Sequence, residues 1–161
     1  MAFSTSLNAY ILPMASLNQL RQNFLNLQGK EMIIAGQAIG EKSEEAANFN
    51  ALQLAQGLKN DGTKANFSYA PFTIASKRGK AGLSGVTSHL TNFDTGESYR
   101  QLFEKVEGNK VIFGTASGLQ EDIDKRMDGK AFGLDAENKK EFLKLNVSPL
   151  FVQKIKSLLK L

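Results

Sequence analysis

Few residues in this chain are equipped for chemistry. His89 is the only histidine, and there is no cysteine. A thiolate nucleophile, a disulfide and every cysteine-based metal site are therefore out of reach. A histidine-built zinc site needs two or three rings, and one is present. Ser88 and Asp94 lie close to His89 in sequence. No Gly-x-Ser-x-Gly elbow surrounds any serine, so a small hydrolase using His89 is the weakest of three readings. Glu44-Glu45 and Glu121-Asp122-Asp124 are the paired carboxylates. They fall on strongly charged helix faces, whereas acid–base pairs need convergent, partly buried groups. Asp122 and Asp124 lack the spacing of a calcium loop. The expectation is a protein with no catalytic residues, no metal and no cofactor, hence not an enzyme.

Two clusters suit binding better. Lys77-Arg78-Gly79-Lys80-Ala81-Gly82 is basic and glycine-rich and reads as an exposed loop that could meet DNA phosphates or an acidic partner. It lacks the glycine spacing of a phosphate-binding P-loop. Phe67, Tyr69 and Phe72 form an aromatic run just before it. Such rings can stack on bases, but more often they enter a core or pack on a neighbouring subunit. Pro71 and its predecessor Ala70 argue for an extended segment here.

These clusters need elements to hold them. The chain has 161 residues, 42% of them hydrophobic, with 11 phenylalanines and no tryptophan, enough for one Phe- and Leu-rich core. Net charge is +4, too mild for a dedicated nucleic-acid arm. The first fifteen residues lack the pattern of a signal peptide, and no run approaches the roughly 20 apolar residues of a membrane span.

Leu17, Leu20, Phe24 and Leu27 mark one helix face, with Ser16 as its cap and Gly29 as its end. Residues 30–58 read as helix broken at Gly36 or Gly40, its end loosened by Gly57. Asn60-Asp61-Gly62 is a turn. Val86 to Phe93 reads as a short strand or extended arm. Asp94, boxed by Glu97, caps a helix carrying Tyr99, Leu102 and Phe103. Val106 and Lys110–Phe113 form a hairpin. Ser117, boxed by Gln120, caps a helix with Leu119, Ile123 and Met127 inside. Asp135 caps another, with Phe142 and Leu145 inside, and Ser148-Pro149 opens the last. The fold class expected is α+β: a small, mostly antiparallel sheet packed against N-terminal and C-terminal helices, with extended arms or loops at 1–15 and 64–93.

Four motifs in order carry a resemblance. They are Leu54-x-x-Gly57-Leu58-Lys59-Asn60-Asp61-Gly62; Tyr69-x-Pro71-Phe72-Thr73-Ile74 with Lys77 to Lys80; Leu90-x-x-Phe93-Asp94-Thr95-Gly96-x-x-Tyr99; and Ile112-x-Gly114-Thr115 followed by Gly129-x-x-Phe132-Gly133-Leu134-Asp135-x-Glu137-Asn138. Together they resemble the virion morphogenesis proteins of bacteriophages, of the tail-completion or head–tail joining type. The resemblance starts near Leu52, leaving residues 1–50 as a helical extension before a family-like core at 51–161. It implies a non-catalytic structural subunit of a virion, assembled in the host cytoplasm as a homo-oligomeric ring at the head–tail connector, neck or tail end. Its partners would be other portal, neck or tail proteins, with DNA contact in a central channel and no membrane. Asp94, Thr95 and Gly96 join Lys77, Arg78, Lys80, Phe67, Tyr69 and Phe72 as interaction residues. The alternative is a nucleic-acid-binding accessory protein using the basic loop 77–80.

Overall fold

The computed structural model describes residues 17–93, 96–107 and 110–161. The expected caps Ser16 and Asp94, and the expected arm at 1–15, lie outside the described residues. Three helices come first: α1 (Leu17–Leu27), α2 (Glu31–Gly40) and α3 (Ser43–Ala55). The long helix read from the sequence does break at Gly40, while Gly36 stays inside α2. A short helix α4 (Pro71–Lys77), a 3-10 turn and a one-turn helix α5 (Glu97–Arg100) lead into the hairpin. Strands β1 (Leu102–Glu107) and β2 (Lys110–Thr115) pair antiparallel, with Glu107 opposite Lys110. Helices α6 (Gln120–Arg126), α7 (Ala136–Phe142) and α8 (Ser148–Leu159) complete the chain. The fold is thus α+β, a two-stranded antiparallel sheet flanked by helices.

Among the described residues, three apolar clusters make the core. Leu54, Leu90, Ile123, Met127 and Ala131 form the first. Ala38, Ala46, Phe142 and Val147 form the second, and Leu27, Ile34 and Leu159 the third. The second and third draw on α1, α2 and the start of α3 as much as on α7 and α8. The boundary drawn at residue 51 has no counterpart in this packing.

A buried amide clamp joins the first two clusters. Gln53 on α3 donates through Nε2 to the Gly133 carbonyl (3.0 Å). Its Oε1 accepts from the Asp135 backbone N–H (3.0 Å) and from Asn138 Nδ2 (3.1 Å). Asn50, one turn earlier, also donates to the Gly133 carbonyl (2.9 Å). Backbone groups in the irregular 131–135 segment thereby find partners that no strand or helix supplies. Asp135 then caps α7 as expected, accepting from the Asn138 N–H at 2.8 Å.

Several local expectations change. Pro71 starts a helix instead of preventing one. Ala70 is extended at ψ 149, and Pro71 takes the first helical position, where a missing N–H costs nothing. Val86 to Phe93 forms no strand; Leu90 and Thr91 are fully buried against the core. Ser117 does not cap α6, which begins after Leu119. Its hydroxyl instead accepts from the Leu119 N–H, while Gln120 Oε1 accepts from the Thr115 N–H (3.2 Å). Ser148 does not open a separate helix either. A π-helical stretch, Leu143–Val147, runs α7 into α8, and the Ser148 hydroxyl donates to the Leu143 carbonyl (2.8 Å). The wider turn accommodates Pro149, which has no N–H to give and would crowd a regular helix.

Gly57 tightens the end of α3 instead of loosening it. Its φ is +71, and a Cβ there would fall 2.8 Å from the Leu90 carbonyl oxygen. Only glycine lets the 86–91 segment approach this closely.

Replacing Gln53 with leucine keeps the volume but orphans the Asp135 N–H inside the protein. The Q53L variant should lose about 2–4 kcal/mol, read as a lower urea midpoint with an unchanged slope.

Candidate functional site

A groove of about 670 Å³ opens between α4, α5 and α6. Its walls include Phe67, Tyr69, Phe72, Lys77 and Gly96, five of the nine interaction residues read from the sequence. Asp94 and Thr95 fall outside the described residues. Arg78 and Lys80 are exposed but do not line the groove.

Tyr69 of the groove wall is anchored on Thr91, which is fully buried. Its backbone N–H donates to the Tyr69 hydroxyl (3.2 Å), and its carbonyl accepts from the Tyr99 hydroxyl. Two tyrosines thus satisfy the backbone groups of a buried residue that lies outside any helix or strand. Phe67 stands edge-on to Tyr69, and Phe93 edge-on to Tyr99, both at 5.3 Å between ring centres. Gly96, at φ +78, precedes α5; a Cβ there would sit 2.7 Å from the Phe93 ring. This glycine is required so that the Phe93 ring can pack on the helix start.

Lys77 corrects the sequence reading most sharply. It is not an exposed loop cation but is 4% accessible, in the last turn of α4. Its ammonium donates to the carbonyls of Ser84 and Phe93, each at 3.1 Å, and lies 4.9 Å from the centre of the Tyr69 ring. Two carbonyl dipoles and a π face compensate the buried charge. Lys77 therefore fastens the 3-10 turn and the 90s segment to α4, and it offers nothing to a phosphate.

Phe72 behaves oppositely. It is 85% exposed at the lip of the groove. Asp122 and Arg126, one turn apart on α6, line the far wall beside Ile123 and Leu119. The arrangement can take an apolar side chain or ring flanked by a polar group. Sequence reasoning missed Arg126 and Asn92 here. Nothing in their local spacing marks them, because the groove is made by elements distant in sequence.

His89 is structural. Its Nε2 lies 2.9 Å from the Ala55 carbonyl oxygen, which can only accept, so that nitrogen carries the proton. Nδ1 then accepts from the Ser88 hydroxyl at 3.0 Å. A triad needs a carboxylate on the nitrogen away from the serine; here a backbone carbonyl fills that place. Among the described residues, no group of three or more histidine, aspartate or glutamate side chains could hold a metal ion. Likewise, no described helix is long and apolar enough to cross a membrane. Comparison with known proteins gives no match to any family model, curated protein or solved structure.

Two outcomes follow. Lys77→Met leaves the Ser84 and Phe93 carbonyls without their donor and should cost about 1–3 kcal/mol in chemical unfolding. Burial first, then the neighbouring Tyr69, pushes the Tyr99 hydroxyl well above its ordinary 10.0. The folded state thus favours neutral Tyr99. That contribution is complete below about pH 10 and is lost as pH rises through the folded-state value. Urea midpoints should fall as pH rises above about 10, and Tyr99→Phe should flatten that fall.

Proposed function

We propose that this protein is a non-catalytic structural subunit of a bacteriophage particle, at the head–tail connector, neck or tail-completion ring. The order of sequence motifs supports the virion reading. The surface supports the docking role, and one observation carries it: large apolar side chains stand uncovered on two separate parts of the molecule.

On α1 and α2, Leu17, Phe24, Leu25, Met32 and Ile33 are exposed. The α1 face expected to be buried is only half used: Leu27 packs inward, while Leu17 and Phe24 do not. On α4, Phe72 stands at the groove lip. The first set lies on the helices that give Leu27 and Ile34 to the cluster shared with α8, and Phe72 lines the same groove as Ile123 of the first cluster. Exposed apolar groups of this size mark interaction sites. Ring assembly needs two different faces on each subunit, and these supply two. The nucleic-acid alternative keeps only Arg78 and Lys80 of its three cations at the surface.

The test is native mass across concentration, at low and moderate salt, with and without DNA. The expected result is a discrete ring or a concentration-driven oligomer, shifted toward monomer by Phe72→Glu or by Met32→Glu with Ile33→Glu, with helical content unchanged. A monomer at every concentration that binds DNA in a salt-sensitive way would reverse the choice between the two readings.

A further inference from the structure

The hairpin has one edge that pairs with no other strand among the described residues. The ladder pairs Glu107 with Lys110 through Leu102 with Thr115, and hydrogen bonding to β1 falls on every second residue of β2, in step with Ala116. The backbone confirms this parity. The Ala116 N–H donates inward to the Gln101 carbonyl, and the Thr115 N–H points outward to Gln120 Oε1. Val111 and Phe113 share the parity of Thr115, so their N–H and C=O groups also point outward. Among the described residues they have no backbone partner beyond the hairpin and no side-chain partner.

A cavity of about 360 Å³ runs along this edge. Four successive β2 residues, Lys110 to Phe113, line it. Successive side chains point to opposite faces of a strand, so a cavity touching all four lies against the strand's edge. Its remaining wall is apolar, with Ile39, Leu134, Phe142 and Leu143 prominent. Two ammonium groups belong to the lining, Lys110 and Lys139. Both residues are exposed, and neither side chain has a hydrogen bond or ion pair among the described residues. Glu107, opposite Lys110 in the ladder, is already paired with Lys105 at 2.7 Å.

We propose that the outer edge of β2 accepts an extended segment of a different protein, one that alternates apolar and acidic residues. Its backbone adds a third strand at Val111 and Phe113. Its apolar side chains fill the cavity, and its carboxylates meet Lys110 and Lys139. Strand addition draws affinity from main-chain hydrogen bonds and specificity from the pockets beside them. The charge argues against a second copy of this strand as the occupant. Lys110–Thr115 contains no carboxylate and would bring a further lysine. The site shares no lining residue with the aromatic groove and stands whether or not the chain forms rings.

The probe is a capped peptide of about eight residues alternating valine and glutamate, titrated into the full-length protein and followed by amide hydrogen exchange. A second peptide carries lysine in place of glutamate. The expected result is saturable binding of the glutamate peptide, with slowed exchange at Val111 and Phe113. The lysine peptide should bind at least about tenfold more weakly, and Lys110→Glu with Lys139→Glu should invert the preference. Both lysines are exposed, so the folded signal in circular dichroism should survive, and Lys110→Gln with Lys139→Gln gives a gentler control. Absent binding, equal binding of both peptides, or protection mapped elsewhere would each overturn the proposal. Native mass reads the assembly question separately, so the two can fail independently.

Discussion

The Gln53 carboxamide spends both of its polar atoms on backbone that has no other structure to belong to. It is 1% accessible, its nitrogen holds the Gly133 carbonyl, and its oxygen holds the Asp135 N–H. The 131–135 segment is the joint between two apolar clusters, one centred on Leu54 and Met127, the other on Ala38 and Phe142. A two-stranded hairpin is marginal by itself and cannot organise a domain of this size. The helices therefore have to be tied together by something other than a sheet. The amide clamp does this, because pulling the clusters apart would strand buried polar groups as well as expose apolar surface.

From that joint the two proposed binding surfaces take their positions. Ala131 follows α6, whose Ile123 forms one wall of the aromatic groove. Leu134 and Phe142 lie on the other side and form the wall of the β2-edge cavity. Lys77 acts as a second, smaller fastening, holding α4 to the 90s segment through two carbonyls. Exposed rings such as Phe72 can then be presented rigidly, which lowers the ordering cost of docking.

The sequence displayed the elements more clearly than their joints. The hairpin, the helix ends at Gly29 and Gly40, and the Asp135 cap follow from local rules that act within a few residues. Tertiary context overrode local rules in three places. Pro71 has the local signature of a breaker but occupies the one helical position that suits it. Pro149 has the signature of a new start, but a π-helical stretch absorbs it. Lysine nearly always lies at the surface, and only the distant Ser84, Phe93 and Tyr69 make the burial of Lys77 tolerable. Gln53 and Asn50 were invisible for the same reason: a buried amide and a surface amide look alike in sequence. The aromatic groove was half legible, since Phe67, Tyr69 and Phe72 stood out, but its far wall on α6 comes from over forty residues later.

Amide hydrogen exchange at two protein concentrations, one well below and one well above any association, tests the account most directly. A rigid, clamped body with docking faces predicts that the Asp135 amide exchanges as slowly as the core of α3 at both concentrations. It also predicts that amides of α4, or of α1 and α2, slow further on concentration. An Asp135 amide exchanging at open-loop rates, or a pattern identical at both concentrations, would contradict it.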